Sequence, residues 1–221
     1  MASVALVLSG CQLLPGGDDR RGERNTRMPP TIDRTGGAAP TLAGQQCLAQ
    51  LGATGADYTP LPNKFDAPGC TQVNPVSLTG LQGDASRFGI GNLGPVTCET
   101  ASTFAGWVRY GVDRAARAYL GSSLARIETF GSYSCRNVAG SNRRSAHARA
   151  EAIDVAAFVL EDGRRIRLDS GWNGGTSAER QFLRVVRESA CKRFGTVLSP
   201  DYDAAHADHF HLEVGGGSFC R

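Results

Sequence analysis

The sequence predicts an α+β domain: a mostly antiparallel central sheet with flanking helices, stapled by disulfides. Segments of helical periodicity and segments of strand alternation follow one another without the regular β–α succession of a parallel sheet. A pair of apolar strands turns at Asp162-Gly163, a hairpin signal. Six cysteines, Cys47, Cys70, Cys98, Cys135, Cys191 and Cys220, are spread along the globular part with no Cys-x-x-Cys pair. That spacing suits three disulfides in an oxidising compartment, and neither a zinc ribbon nor a thioredoxin-type motif.

The elements follow in order. Residues 1–11 end in "ALVLSGC". This resembles a truncated bacterial lipoprotein signal, with Cys11 as the lipidated residue and no basic residue ahead of the apolar run. Residues 12–40 are rich in Gly, Pro, Arg and Asp and poor in aliphatics, the composition of a disordered tether. The folded domain is expected over 41–221, opening near "GQQCLAQLGA". Residues 55–95 carry many Gly, Pro, Asn and Asp residues, which predicts short strands and loops stapled by Cys47 and Cys70. Within them "GIGNLG" (89–94) lacks the Lys-Ser/Thr ending of a phosphate loop and reads as a turn.

Residues 97–121 read as a helix, capped by Thr97, with Phe104, Trp107, Val108 and Val112 on one face and Gly121 at its end. "ARIETFGSYSC" (125–135) reads as a strand, and 152–170 as two strands. Thr176 and Glu179 form a capping box ahead of the amphipathic helix "RQFLRVVRESACKRF". "TVLS" and "HFHLEV" are the last strands. The formal net charge of +3 over 221 residues gives no argument for nucleic acid. No segment approaches the roughly 18 apolar residues of a membrane-spanning helix.

The chemistry is concentrated in four histidines. Three of them, His206, His209 and His211, stand in "AHADHFHLEV", and the fourth, His147, in "SAHARAEAIDV". Side chains alternate along a strand, so His209, His211 and Glu213 share one face of "HFHLEV", opposite Phe210, Leu212 and Val214. By the same alternation Ile153, Val155 and Ala157 share a face, and Asp154 shares the other with Ala152, Ala156 and Phe158. A lone acid in so apolar a strand is costly unless paired. A metal would pair it, and zinc accepts imidazole and carboxylate ligands while leaving a position open. The outer ring nitrogens of ligand histidines need acceptors, for which Glu151 and Glu213 are candidates.

The pattern Ser145-x-His147-x4-Ala152-x-Asp154, followed downstream by "DHFH", resembles the D-alanyl-D-alanine carboxypeptidase, murein endopeptidase and hedgehog superfamily. More closely, "GSYSCR", "SAHARAEAIDVAAF", "ACKRFGTVLSP" and "HADHFHLEV" resemble the bacterial extensin-like C-terminal family over residues 45–221. The resemblance implies a hedgehog/DD-peptidase-like fold and zinc held by His147, Asp154 and His211. It implies Asp208 as general base, Arg136 over the scissile carbonyl and His206 and His209 beside the metal. Ser145 and Tyr133 become substrate or outer contacts. Alternation turns Asp208 away from His211 unless it lies in the turn before the strand; otherwise His209 is the base. Peptidase relatives carry glycine where Ala150 stands. The expected activity is hydrolysis of peptide bonds in peptidoglycan stems or cross-links, by an envelope protein on an N-terminal lipid anchor. A catalytically silent, zinc-containing wall-binding module and a different zinc hydrolase are the alternatives.

Overall fold

The computed structural model describes residues 40–215 and 217–221. The signal-like segment with Cys11, and the tether up to residue 39, lie outside the described residues. Helix α1 (Leu42–Ala53) is capped by Thr41, whose hydroxyl accepts from Gly44 N. Short strands follow, as the turn-rich composition predicts: β1 (Asp57–Pro60), β2 (Lys64–Ala67), β3 (Cys70–Gln72), β4 (Pro75–Gln82), β5 (Arg87–Gly91) and β6 (Pro95–Thr97). "GIGNLG" divides between the end of β5 and a turn in which Asn92 and Gly94 have positive φ. Helix α2 (Cys98–Trp107) begins at the Thr97 cap and runs on through wider π turns to Leu120. Gly121 ends it in the left-handed conformation that glycine adopts without steric cost.

The second half supplies β7 (Leu124–Gly131), β8 (Ala152–Leu160), β9 (Arg165–Arg167), α3 (Leu168–Gly174), α4 (Ser177–Cys191), β10 (Thr196–Leu198), β11 (Phe210–Glu213) and β12 (Phe219–Cys220). Three expected boundaries move. Strand β7 stops at Gly131, at φ 116°, not at Cys135, and the chain leaves the sheet there. The second strand of the hairpin ends at Arg167, and Leu168–Gly174 turns helical so that Trp172 packs under Phe210, ring centres 5.6 Å apart. Strand β11 begins at Phe210, leaving Asp208 and His209 in the approach to it.

The main sheet runs β1-β4-β5-β7-β8-β11-β10-β12, with β6 and β9 paired at its side. It is antiparallel except for β5 with β7 and β10 with β12. A bulge falls in β8: Ala157 faces Glu128 and Val155 faces Thr129, so Ala156 is the extra residue. The bulge resets the alternation. Phe158 therefore joins Ile153 and Val155 on the core side instead of sharing a face with Asp154. There it packs on Trp107 and Phe182 from α2 and α4, and all of these are buried.

Three disulfides, Cys47–Cys98, Cys70–Cys135 and Cys191–Cys220, close loops of 51, 65 and 29 residues. Three such bonds fit an exported protein. Among the described residues no helix is long and apolar enough to cross a membrane.

Candidate metal centre

Strand pairing builds the centre. β8 lies between β7 and β11, and Asp154 stands directly across from His211 in the antiparallel register. Cross-strand partners on one face have their side chains about 5 Å apart at Cβ, so the pairing itself brings carboxylate to imidazole. The third member comes from a short 3-10 turn, Ala146–Arg149, just before β8. Ser145 caps that turn, its hydroxyl accepting from His147 N at 3.3 Å. Ala150 closes it at φ 55°, a left-handed conformation that favours glycine. Ser145 is buried and committed to the cap, so its place is beneath His147.

The ligand atoms of His147, Asp154 and His211 all lie within 4.8 Å of one another. His147 Nε2 is 3.1 Å from His211 Nδ1 and 3.1 Å from Asp154 Oδ2. His211 Nδ1 is 3.0 Å from Asp154 Oδ1. Ligands of a tetrahedral zinc, at ~2.0–2.1 Å from the ion, stand about 3.3 Å from one another. The two imidazole nitrogens stand within a few tenths of an ångström of that spacing, and each meets a different oxygen of the Asp154 carboxylate at similar range. The outer nitrogens are already occupied. His147 Nδ1 donates to the Ser132 carbonyl at 2.5 Å, which orients the ring with Nε2 toward the centre. His211 Nε2 lies 3.5 Å from Glu213 Oε2. Glu151, the other expected acceptor, instead pairs with Arg149 at 2.6 Å.

Electrostatics agree with the geometry. Burial opposes charge on Asp154, yet the hydrogen bonds with His147 and His211 hold its carboxyl well below the ordinary carboxylate range. Burial also opposes charge on His211, but Asp154 and then Glu213 outweigh it and push its pKa up to about 9. In the metal-free protein a proton on His211 therefore neutralises the carboxylate. A divalent cation can replace that proton, because imidazole, unlike guanidinium, gives it up readily.

His209 points Nε2 at the centre, 3.6 Å from Asp154 Oδ1, while its Nδ1 meets Asp208 Oδ1 at 2.8 Å. Asp208 lies in the turn before β11, half exposed, and reaches the centre through His209. His206 is held the same way by Asp203, at 2.6 Å, and its ring lies 5.1 Å from His209 and 5.9 Å from His211. Arg136 is exposed, and its guanidinium has no hydrogen-bond or ion-pair partner among the described residues. Its backbone accepts from Ser145 N at 3.1 Å, beside the His147 turn. Tyr133 donates to Asp66 of β2, and burial followed by that carboxylate raises its pKa. Sequence reasoning missed Ser132, which acts through its carbonyl and has no side-chain signature. It also missed Asp203, although a carboxylate three residues before a histidine was a readable hint.

A model of the extensin-like protein C-terminus matches residues 45–221. No curated protein and no solved structure matches the chain. The match spans most of the sequence and all of the metal centre, and the chain belongs to the extensin-like C-terminal family.

Proposed function

We propose that this member of the extensin-like C-terminal family is an exported zinc metallopeptidase acting on peptidoglycan stem peptides or their cross-links. The observation that carries the reading is the convergence of three acceptor atoms, on His147, Asp154 and His211, whose outward nitrogens already have partners. Two imidazoles and one carboxylate suit zinc, and three protein ligands leave a position open for chemistry. Bound there, zinc polarises a peptide carbonyl and acidifies a water.

The chain's own residues do the rest. His209, oriented by Asp208, takes the proton of the attacking water at Nε2 as the new C–O bond forms. It returns that proton to the amine nitrogen as the C–N bond breaks. This arrangement joins the two candidate bases into one pair, with Asp208 as the positioning residue. Arg136 is the cation available to the developing oxyanion. The resemblance to the D-alanyl-D-alanine peptidase superfamily and the disulfides support an envelope substrate, and a lipid anchor at Cys11 would hold the domain near it.

One observation favours the second reading, a zinc-containing wall-binding module: the Arg136 guanidinium is engaged with no residue of the centre. Digestion of purified peptidoglycan by the zinc-loaded protein separates the two. Release of amino acids or peptides, seen by mass spectrometry and lost in His211→Ala, is the expected result. Intact muropeptides, with wall binding that depends on zinc, would establish the module.

A further inference from the structure

A continuous row of rings crosses the mouth of the metal centre. Phe130, the penultimate residue of β7, is 56% exposed and meets His209 edge-on at 5.8 Å. His209 is followed by His206 at 5.1 Å, and His206 by Tyr202 at 5.6 Å. Tyr202 is 43% exposed and leans edge-on against Phe219, which is 42% exposed, at 5.8 Å. The row is raised at both ends and low in the middle, where the histidine side chains are only 18% and 11% exposed. The core already has its own aromatic residues, so burial does not explain rings left open to water on both sides of one polar cluster.

Two carboxylates line the same row. Asp203 and Asp208 each use one oxygen to hold a histidine, and their side chains are 46% and 53% exposed. Among the described residues neither second oxygen has a partner.

We infer that this row is a saccharide platform, so that the substrate of the centre is a peptide still attached to its glycan strand. The inference rests on the wall-peptidase reading and names its substrate class. A sugar ring presents an apolar C–H face that lies against an exposed aromatic ring, and hydroxyls at its edge that donate to carboxylates. The row offers both kinds of group side by side. Anionic ligands are repelled by Asp203 and Asp208, and a purely apolar chain would strip those carboxylates of water without replacing it. A single ammonium group is best held by rings closing around one point, whereas these rings follow one another along a line, as the residues of a polymer do. A glycan on Phe130 and on Tyr202 with Phe219 would straddle the histidines and bring its attached peptide down to the metal ligands, a gain in orientation.

Calorimetric titration of the full-length protein with peptide-free oligomers of β-1,4-linked N-acetylhexosamine tests this. The wild type and His211→Ala are both expected to bind. Phe130→Ala and Tyr202→Ala should each weaken binding about tenfold, and Phe130→Trp should restore it. No binding by the wild type overturns the proposal, as does binding that ignores both alanine variants. Binding of lysine-bearing peptides without sugar that is lost in Phe130→Ala overturns it in favour of an amine site. Because His211→Ala carries no metal chemistry, sugar binding with no hydrolysis by the wild type would sink the peptidase reading alone.

Discussion

Two carboxylates in this molecule are held far below their ordinary range, by opposite means. Asp84, in the turn between β4 and β5, sits at the surface among Arg109, Arg114 and Arg117, at 2.9, 2.6 and 3.5 Å. The hydrogen bonds from Arg114 and Arg109 lower its pKa to about 2. Asp154 sits in the middle of the sheet among imidazoles. Arginine keeps its proton at every pH a protein meets, so the Asp84 cluster is a permanent surface tie, screened by water and salt. Histidine is a conditional partner. The Asp154 cluster therefore has an exchangeable cation, and one charge-matched site can take a proton or a metal. Depression of a carboxylate thus separates a fastening from a centre only when the partner's own chemistry is read with it.

The largest expected contrast comes from deleting a partner on each side. His211→Ala should weaken zinc binding by more than the roughly 100-fold that changes behind a ligand cause, measured by metal content after dialysis and by competition with a chelator. Asp84→Asn should leave metal content unchanged. Retention of stoichiometric zinc by His211→Ala would break the comparison at its root.

Support differs too. The Cys70–Cys135 bond closes a 65-residue loop and ties β3 to the segment whose Ser132 carbonyl orients His147. Replacing both cysteines by serine should cost about 4 kcal/mol of stability, read from urea unfolding. The same variant should loosen zinc by about 10–100-fold, as the outer support of His147 relaxes. An unchanged zinc affinity would show that the strands alone position the centre.

The pH dependence should run in opposite directions for the two forms of the centre. The pKa of His211 in the metal-free protein is raised from 6.5 to about 9, so the folded state holds that proton more tightly than the unfolded chain. The resulting stability is complete below about pH 6.5 and is lost as pH rises toward 9, by roughly 3 kcal/mol. Asp154, shifted downward, contributes above about pH 4 and loses that contribution in acid. Metal affinity should rise through the same 6.5–9 window, up to about tenfold per pH unit, because the ion displaces the proton. Thermal unfolding of chelated protein at pH 6 and 9, beside zinc titrations at both, reads the crossing. Parallel trends would exclude His211 as the exchanged site.

The smallest effect belongs to the surface tie. Asp84→Asn should lower the melting temperature slightly, and the difference from wild type should shrink as salt is added. A salt-independent loss would mean that Asp84 carries more structure than its exposure suggests.

Much of this was legible in the chain. The Thr97 cap, the Thr176–Glu179 capping box and the turn at Asp162-Gly163 are local devices, and each stands where its residues placed it. The alternation of "HFHLEV" put His211 opposite the core face, and the apolar setting of Asp154 announced that it needed a cation. Alternation failed at Phe158, because the bulge at Ala156 is set by the neighbouring strand β7 and by the helices that Phe158 must reach. It also failed to place Asp208, whose role depends on how the chain turns before β11.

Residue types and spacing, then, determined which groups could hold a metal, which strands carried them and that the cysteines would pair, because these follow from local period and intrinsic chemistry. Only the tertiary structure decided which cysteines pair and which carbonyl orients His147. It alone decided that Asp208 meets His209 and that Phe130, Tyr202 and Phe219 gather along one row with the histidines. Those relations join residues far apart in the chain, and such distances are fixed by the packing of whole strands and helices around a shared core.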